Sequence, residues 1–156
     1  MIDTWCFAYG SNLLLDQKTS RTGTIRAARR ARLSGYRLAF NKRMRSGGGV
    51  YANIVPTEAG EAPAEVWGVA YLCDEAAIAG LDDYEGVSTG HYRHEHVAVV
   101  TDQGDVLQSL TYVAGEQYIG EEGRPQAGYL AKILKGARQH GLPEDYIAVI
   151  EALGRS

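Results

Sequence analysis

The sequence predicts an α+β fold in which mixed or antiparallel strands form a small β-barrel, with helices in addition. Strand-like runs follow one another at short intervals with brief turns, which favours a curled sheet over alternating βαβ units. The clearest pair is residues 91–101 and 106–114, joined by a hairpin turn at residues 102–105. Helical apolar spacing appears only between or after such runs. These observations together predict the fold class.

Length and composition limit the possible functions. The chain has 156 residues, 45% of them hydrophobic, so we expect one domain over residues 1–156. Its 16 Lys and Arg residues against 19 Asp and Glu residues give a net charge of −3, which does not attract nucleic acid or an anionic membrane. No signal segment and no apolar run of about 18 residues is visible. We therefore expect a cytoplasmic protein without nucleic-acid or membrane partners.

The strands of the first half are predicted from apolar runs between turn residues. Residues 4–8 form a short buried strand that we expect to lie centrally in a sheet, and residues 13–23 a brief helical segment. Further strands are predicted at residues 36–41, 50–55 and 65–73. The run Ser46-Gly47-Gly48-Gly49 follows the first of these three strands and is expected to be a flexible loop.

Residues 25–32 contain a cluster of arginines, Arg26, Arg29, Arg30 and Arg32. Such a cluster could bind an acidic partner. Because no aromatic residues are interleaved with it, a solvated edge strand or loop is the favoured interpretation. In a later strand, Gly68 indicates a bulge or a close backbone approach.

Helices are predicted at residues 75–84, at residues 127–140 and after Pro143. Asp74 is a good N-cap for the first of them, and Gly86 is placed to end it. Glu85 would then lie beside the helix C-terminus, whose carbonyl groups repel a negative charge. A partly buried carboxyl group there is expected to have a raised pKa and to exchange protons near neutral pH. The alternative is a solvent-facing Glu at a frayed helix end.

Cysteines and histidines do not predict a metal site. Cys6 and Cys73 lie in apolar strand-like runs, and the sequence has no CxxC or HExxH pattern. His94 and His96 share a strand face, but His91 has the opposite parity. We expect no metal and no cofactor.

The stretch Phe7-Ala8-Tyr9-Gly10-Ser11-Asn12 is an apolar strand that stops in a turn of small residues. A strand that runs into such a turn before a helix-like run leaves backbone N–H groups able to hold a carboxylate or another anion. The alternative is an ordinary turn capped by Ser11 or Asn12.

These stretches together resemble the γ-glutamylcyclotransferase family over almost the whole chain. The matching motifs, in order, are Phe7-Ala8-Tyr9-Gly10-Ser11-Asn12-Leu13, Val66-Trp67-Gly68-Val69, Leu81 to Val87, Gly90 with Tyr92, Tyr129 with Lys132 and Ile133, Gly136-Ala137, and Gly141-Leu142-Pro143. A lone Tyr-Gly-Ser-Asn motif would be weak evidence, but this ordered set is specific.

The resemblance implies a barrel flanked by helices, with the Tyr-Gly-Ser-Asn loop and Glu85 meeting in one cavity. Glu85 matches the family's catalytic acid/base. The implied substrate-binding residues are Cys6, Phe7, Ala8, Tyr9, Gly10, Ser11, Asn12 and Tyr129. Cys6 departs from the aromatic residue of close relatives, which leaves the shape of that wall open. The intact Ser11-Asn12 pair argues against the glutathione-specific and γ-glutamylamine-specific branches, which replace it.

The chemistry follows from the substrate that the resemblance implies. A γ-glutamyl amide contains both an α-amine and a γ-carbonyl, so intramolecular attack gives 5-oxoproline and a free amine. Glu85 would take the proton from the α-ammonium and return it to the leaving nitrogen. The loop amides would hold the α-carboxylate or the oxyanion, and the sequence leaves both open.

Two other functions fit the same sequence. One is removal of a γ-glutamyl group from a specialised metabolite, such as an antibiotic intermediate, and the other is a binding module without catalysis. Glu85 favours the enzyme, because a module for an anionic ligand gains nothing from another carboxylate. The expected protein is a monomer or homodimer that acts on a small molecule.

Overall fold

The computed structural model describes residues 3–14, 26–44, 49–62 and 64–155. Within these residues the chain forms strands and α-helices in the predicted order. The strands are β1 (Thr4–Ala8), β2 (Ala28–Ser34), β3 (Tyr36–Arg43), β4 (Val50–Pro56), β5 (Glu65–Cys73), β6 (Tyr92–Thr101) and β7 (Val106–Ala114). The α-helices are α1 (Glu75–Glu85), α2 (Ala127–Gln139) and α3 (Glu144–Gly154).

Five of the strands close into a barrel in the order β1-β5-β2-β6-β7. The barrel closes where β1 pairs in parallel with β7, with Trp5 opposite Ser109 and Cys6 opposite Leu110, while the other pairings are antiparallel. The prediction of a mixed barrel with helices is therefore confirmed. The central position of β1 is confirmed as well, since it is paired on both sides.

Strand β2 corrects the prediction of an edge strand or loop for the arginine-rich run. It pairs with β5 along its whole length and with β6 at Ala31 and Arg32. A closed barrel has no edge, so charged side chains here lie on the outer face rather than along an open edge. Ala31 and Leu33 are buried, whereas Arg29 and Arg30 are exposed.

Acidic groups of the same chain lie beside these arginines. The contacts are Arg26 with Asp3 at 2.9 Å, Arg29 with Asp105 at 3.4 Å, Arg30 with Asp102 at 2.6 Å and Arg32 with Glu65 at 3.6 Å. Such exposed pairs add little stability. They do reduce the positive field that an acidic partner would meet, and this agrees with a solvated face.

Strands β3 and β4 form a separate two-stranded antiparallel sheet. The segment after β7 runs along the other side of β3, where Gly120 N–H donates to Asn41 O at 2.8 Å and Gly123 N–H to Phe40 O at 3.0 Å. On the inner side, Asn53 bridges the two sheets, since its Oδ1 accepts from Ala114 N–H at 2.9 Å and its Nδ2 donates to Asn41 Oδ1 at 3.0 Å. The small sheet is thus fixed against the barrel.

A buried lysine occupies the junction between β3 and the barrel. Lys42 is only 2% exposed. Its Nζ donates to Arg43 O at 2.9 Å and contacts His91 Nδ1 at 2.8 Å. The rings of Tyr51, Tyr92 and Tyr118 lie 4.9 to 5.7 Å from it, so the ammonium is surrounded by aromatic faces. Sequence patterns gave no sign of this cluster.

Helix α1 begins and ends where the sequence predicts. The Asp74 carboxylate accepts from Ala77 N–H at 2.8 Å, which caps the N-terminus. Gly86 has a left-handed φ of 67° and its N–H bonds to carbonyls of the last turn, so the chain leaves the helix sharply after Glu85. The two C-terminal helices are also confirmed, with Glu144 and Asp145 in the first turn of α3.

Two glycines allow backbones to approach closely. A Cβ at Gly68 would overlap the Ala8 carbonyl and the Phe7 ring, so the predicted close approach is confirmed. In α2, a Cβ at Gly136 would lie 2.6 Å from Leu14 N. Helix α2 therefore packs directly on the backbone that follows β1.

Some predictions fall outside the described residues. Of the helical segment at residues 13–23, only its start is described, as part of a 3₁₀ turn over Ser11–Leu13. Residues 46–48 of the predicted flexible loop are likewise outside the described ranges. Across the described residues, no helix is both long and apolar enough to cross a membrane.

Alanine substitutions at two glycines of α2 test the close packing. Gly136→Ala should destabilise the fold by about 1–3 kcal/mol because its new methyl group overlaps the Leu13–Leu14 backbone. Gly128→Ala is the matched control, since nothing lies within 4 Å of a Cβ there, and it should be neutral or stabilise by up to about 1 kcal/mol. Urea unfolding measures both. Equal stabilities of the two variants would contradict this packing.

Candidate active site

A cavity opens where β1 leaves the barrel. Its empty volume is about 380 Å³, counting the part open to solvent. The lining residues are Phe7, Ala8, Tyr9, Gly10, Ser11, Asn12, Ala52, Glu85, Tyr92, Tyr112 and Tyr129. The cavity wall therefore combines one turn, one carboxylate and several tyrosines.

The turn at the end of β1 forms one wall. After Tyr9 the chain folds into the 3₁₀ turn, in which Leu13 N–H donates to Gly10 O at 3.0 Å and Leu14 N–H to Ser11 O at 3.1 Å. Leu13 is fully buried and anchors the turn in the core. The first N–H groups of such a turn have no acceptor within it, and the residues that bear them line the cavity.

Two side chains hold this turn from behind. His140, just after α2, donates from Nε2 to Leu13 O at 2.9 Å and lies 3.0 Å from the Tyr71 hydroxyl. The Tyr71 hydroxyl lies 3.4 Å from Asn12 O. Burial lowers the pKa of His140, although its bond to the Leu13 carbonyl acts in the opposite direction. The neutral ring is therefore the form that the fold favours.

Glu85 lines the same cavity and contacts this turn. It is the last residue of α1, and Asn12 Nδ2 donates to its Oε1 at 3.4 Å. The negative end of the helix dipole is thus next to an acidic side chain. Two residues separated by 73 positions in the chain thus meet at this cavity.

Four tyrosines complete the lining, and their hydroxyl groups bond to neighbouring residues. Tyr9 donates to Tyr112 O at 2.5 Å and Tyr92 to Ala52 O at 2.8 Å, while Ala52 N–H donates to the Tyr129 hydroxyl at 3.0 Å. Ala52 of β4 is therefore held on both its backbone groups. Burial first, and then neighbouring groups that include Glu85, raise the pKa values of Tyr9 and Tyr92 well above their usual range. Both phenols stay protonated near neutral pH.

The structure brings together nearly all of the predicted site residues. Phe7 to Asn12, Glu85 and Tyr129 line the same cavity. Cys6 does not line it; its side chain is buried within β1. The sequence did not predict Ala52, Tyr92 and Tyr112 as site residues, since no local pattern links β4, β6 or β7 to the turn after β1.

The histidines at positions 91 and 94 do not converge on one site. His91 contacts Lys42, and His94 lies 2.7 Å from the Asp82 carboxylate. In the described ranges, no group of three or more His, Cys, Asp or Glu residues is arranged to hold a metal ion. The cavity is built instead from hydroxyl, amide and carboxylate groups.

Comparison with known proteins shows which family the chain is similar to. Residues 65–150 match the model of the AIG2-like family. The chain is 30% identical to bovine (Bos taurus) gamma-glutamylcyclotransferase over 140 residues. This alignment covers 90% of this chain and 73% of the bovine protein. It is 29% identical to the human (Homo sapiens) gamma-glutamylcyclotransferase over 147 residues, covering 94% and 77% of the two chains.

The fold of this chain is also similar to that of a solved structure described as a gamma-glutamyl cyclotransferase. It has a TM-score of 0.84 and 29% identity, and it covers 97% of this chain and 88% of that one. The chain belongs to the AIG2-like, γ-glutamylcyclotransferase family. The matched family segment contains Glu85 and Tyr129, and the turn after β1 lies outside it.

The lowered pKa of His140 predicts how the stability of the folded protein depends on pH. Because the folded-state pKa is lowered, the unfolded chain takes up the proton first as the pH falls. The contribution of neutral His140 to the free energy of unfolding is therefore complete above the ordinary histidine pKa of about 6.5. It is lost as the pH falls through the lower pKa that His140 has in the folded state. His140→Gln should retain a donor near Leu13 O but remove the titration.

Unfolding in urea at pH 7 and pH 5 measures this effect. The free energy of unfolding should fall more steeply between these pH values in the unmodified protein than in His140→Gln. His96→Gln, at an exposed position of β6, is the control and should follow the unmodified protein. Parallel curves for His140→Gln and the unmodified protein would show that His140 does not contribute.

Proposed function

We propose that this chain cleaves γ-glutamyl amides by intramolecular attack of the α-amine on the γ-carbonyl, releasing 5-oxoproline and an amine. The observation that supports this most is that Glu85 lines the same cavity as the turn Tyr9 to Asn12 and contacts Asn12. Relatives named gamma-glutamylcyclotransferase support the general activity. The reaction needs a folded-back substrate, one proton acceptor and donors for developing charge.

Ring closure itself supplies much of the rate. The amine and the carbonyl belong to one molecule, so a site that bends the chain replaces a nucleophilic side chain. Well-oriented closures reach effective molarities of about 10⁵ to 10⁸ M, equivalent to roughly 7–11 kcal/mol of barrier. In this proposal the substrate bends within the cavity that Tyr9, Tyr92 and Tyr112 help to line.

Glu85 acts in this proposal as the general acid/base. It removes a proton from the α-ammonium, so that the nitrogen lone pair can form the new C–N bond. After the tetrahedral intermediate forms, the same carboxyl group gives the proton to the leaving nitrogen as the old C–N bond breaks. The ring nitrogen gives up its second proton to the released amine, which departs as an ammonium ion. General acid/base catalysis of this kind contributes about 10²–10⁴ in rate.

The turn after β1 acts as the anchor. Gly10, Ser11 and Asn12 line the cavity, and in this proposal backbone N–H groups of the turn would hold the α-carboxylate or the developing oxyanion. Asn12 has a second part in this proposal, because its amide contacts the Glu85 carboxylate and orients it. Tyr129 contacts the same end of the substrate. Amino acids or small peptides are the proposed leaving groups.

Replacing the carboxylate tests the proposed role of Glu85. Glu85→Gln should lower kcat for 5-oxoproline release from a γ-glutamyl dipeptide by about 10²–10⁴, with an unchanged melting temperature. Asp83→Asn, an exposed carboxylate of the same helix, is the matched control and should keep its activity. A folded Glu85→Gln protein that turns over at a rate near that of the unmodified protein ends this proposal.

A panel of γ-glutamyl compounds tests the substrate class. Amino-acid and dipeptide conjugates, glutathione, a γ-glutamylamine and a larger γ-glutamylated antibiotic intermediate are assayed for 5-oxoproline, with calorimetry in parallel. Turnover of the amino-acid conjugates supports the proposal. Turnover of only the larger conjugate favours a specialised metabolite, and heat of binding without product favours a binding module.

A further inference from the structure

A second carboxylate of α1 reaches the cavity indirectly. The Tyr112 hydroxyl donates to Asp82 Oδ1 at 2.6 Å, and His94 Nε2 contacts the same oxygen at 2.7 Å. The Tyr112 and His94 rings meet edge to face with centroids 5.3 Å apart. Tyr112 lines the cavity, whereas the Asp82 and His94 side chains are 31% and 36% exposed. The contact thus links the cavity wall to the protein surface.

The tyrosine hydroxyl groups have only one proton each, and this limits the hydrogen bonds that they can donate to a ligand. A phenol has one O–H donor, and its oxygen can also accept. The Tyr112 proton is used on Asp82, the Tyr9 proton on Tyr112 O, and the Tyr92 proton on Ala52 O. A ligand that meets these hydroxyl oxygens therefore meets hydrogen-bond acceptors and no further donor from them.

Electrostatics connects the same hydroxyls to the Glu85 carboxylate. Burial is the main cause of the raised pKa of each phenol, Tyr9, Tyr92 and Tyr112, and the charge of Glu85 contributes to all three. At Tyr112 the bond to Asp82 raises the pKa further. The phenols therefore remain protonated, so the donor directions described above hold at neutral pH.

We propose that Asp82 is a positioning residue that fixes Tyr112 as an acceptor, so that with Tyr9 and Tyr92 it forms a subsite for the substrate's α-ammonium beside Glu85. This inference rests on the proposed function. An ammonium group has three N–H donors and no acceptor, so it matches a wall of hydroxyl oxygens and a carboxylate. A neutral or acceptor-bearing group at that position finds no donor from these phenols.

A purely structural role for Asp82 would predict a different result. In that case the contacts to Tyr112 and His94 only tie α1 to β6 and β7, and their loss would weaken every ligand equally. A positioning role acts on the ammonium alone. Two ligands that differ only in that group separate the two roles.

The test compares S-ethyl-L-homocysteine with its desamino analogue by calorimetry. The thioether replaces the scissile amide, so neither compound can cyclise. The unmodified protein should prefer the ammonium compound. Asp82→Ala should reduce this preference by about tenfold, because the released Tyr112 proton can turn into the cavity, and Tyr112→Phe should do the same by removing the acceptor. Binding of the desamino analogue should change less than about twofold.

Two further variants serve as controls. Asp82→Asn retains an oxygen that can accept the Tyr112 proton, so it should restore the preference to within about threefold of the unmodified value. Asp83→Ala, on the exposed side of α1, should leave both affinities unchanged. An unmodified protein without preference for the ammonium compound overturns the proposal, as does equal weakening of both ligands by Asp82→Ala and Tyr112→Phe.

A parallel assay of 5-oxoproline release separates this proposal from the proposed function. An unmodified protein that binds with the expected preference, and loses it in Asp82→Ala, but releases no 5-oxoproline supports the positioning role and contradicts the enzymatic proposal. An active protein whose preference is the same in all variants overturns the positioning role and leaves the enzymatic proposal intact.

Discussion

Pairing of β1 on both its edges is the constraint on which the rest of the structure depends. Because β5 binds one edge and β7 the other, the strand cannot shift along or away from the barrel. The turn that follows it therefore leaves the barrel at a fixed point. Gly136 of α2 then lets a helix backbone approach this turn, and Tyr71 and His140 fix its carbonyl groups. Preorganised donors lose no free energy to reorganisation when charge develops.

The position of Glu85 follows from the way α1 ends. Asp74 fixes where the helix begins, Gly86 fixes where it stops, and the length between them decides which side chain faces the turn. Placing a carboxylate at a helix C-terminus is electrostatically unfavourable. Because this position disfavours the charged form, it would help a carboxyl group that must take up and release one proton. The unfavourable position of Glu85 in the helix is thus consistent with its proposed role. Asn12 connects the two walls.

Hydrogen-bond donors and acceptors come from different parts of the cavity lining. Its backbone N–H groups lie on the turn, and the hydroxyl protons of Tyr9, Tyr92 and Tyr112 are used within the protein. A γ-glutamyl group has the matching polarity, with a carboxylate and a carbonyl that accept and an ammonium that donates. Asp82, outside the cavity, is the residue that would set this direction at Tyr112. In the proposed arrangement, substrate specificity would depend partly on the contact between Tyr112 and Asp82, which lies outside the cavity.

The sequence by itself determined the elements and the main site motifs. Strand alternation, the Asp74 and Gly86 caps and the glycine after α2 are local signals, and the order of motifs identified the family, the turn after β1, Glu85 and Tyr129. Local patterns could not show that β2 is one of the strands of a closed barrel. Outward-facing arginines occur both on an edge strand and on a strand of a barrel wall.

Only the tertiary structure decided which distant side chains share a hydrogen bond. Ala52, Tyr112 and the Asp82 contact come from different strands and a helix, and the buried Lys42 pairs with a histidine 49 positions away. Nothing in their neighbouring sequence specifies these partners. The reason is physical: pairing across a fold depends on the register and closure of the whole barrel, and no stretch of the chain encodes that alone.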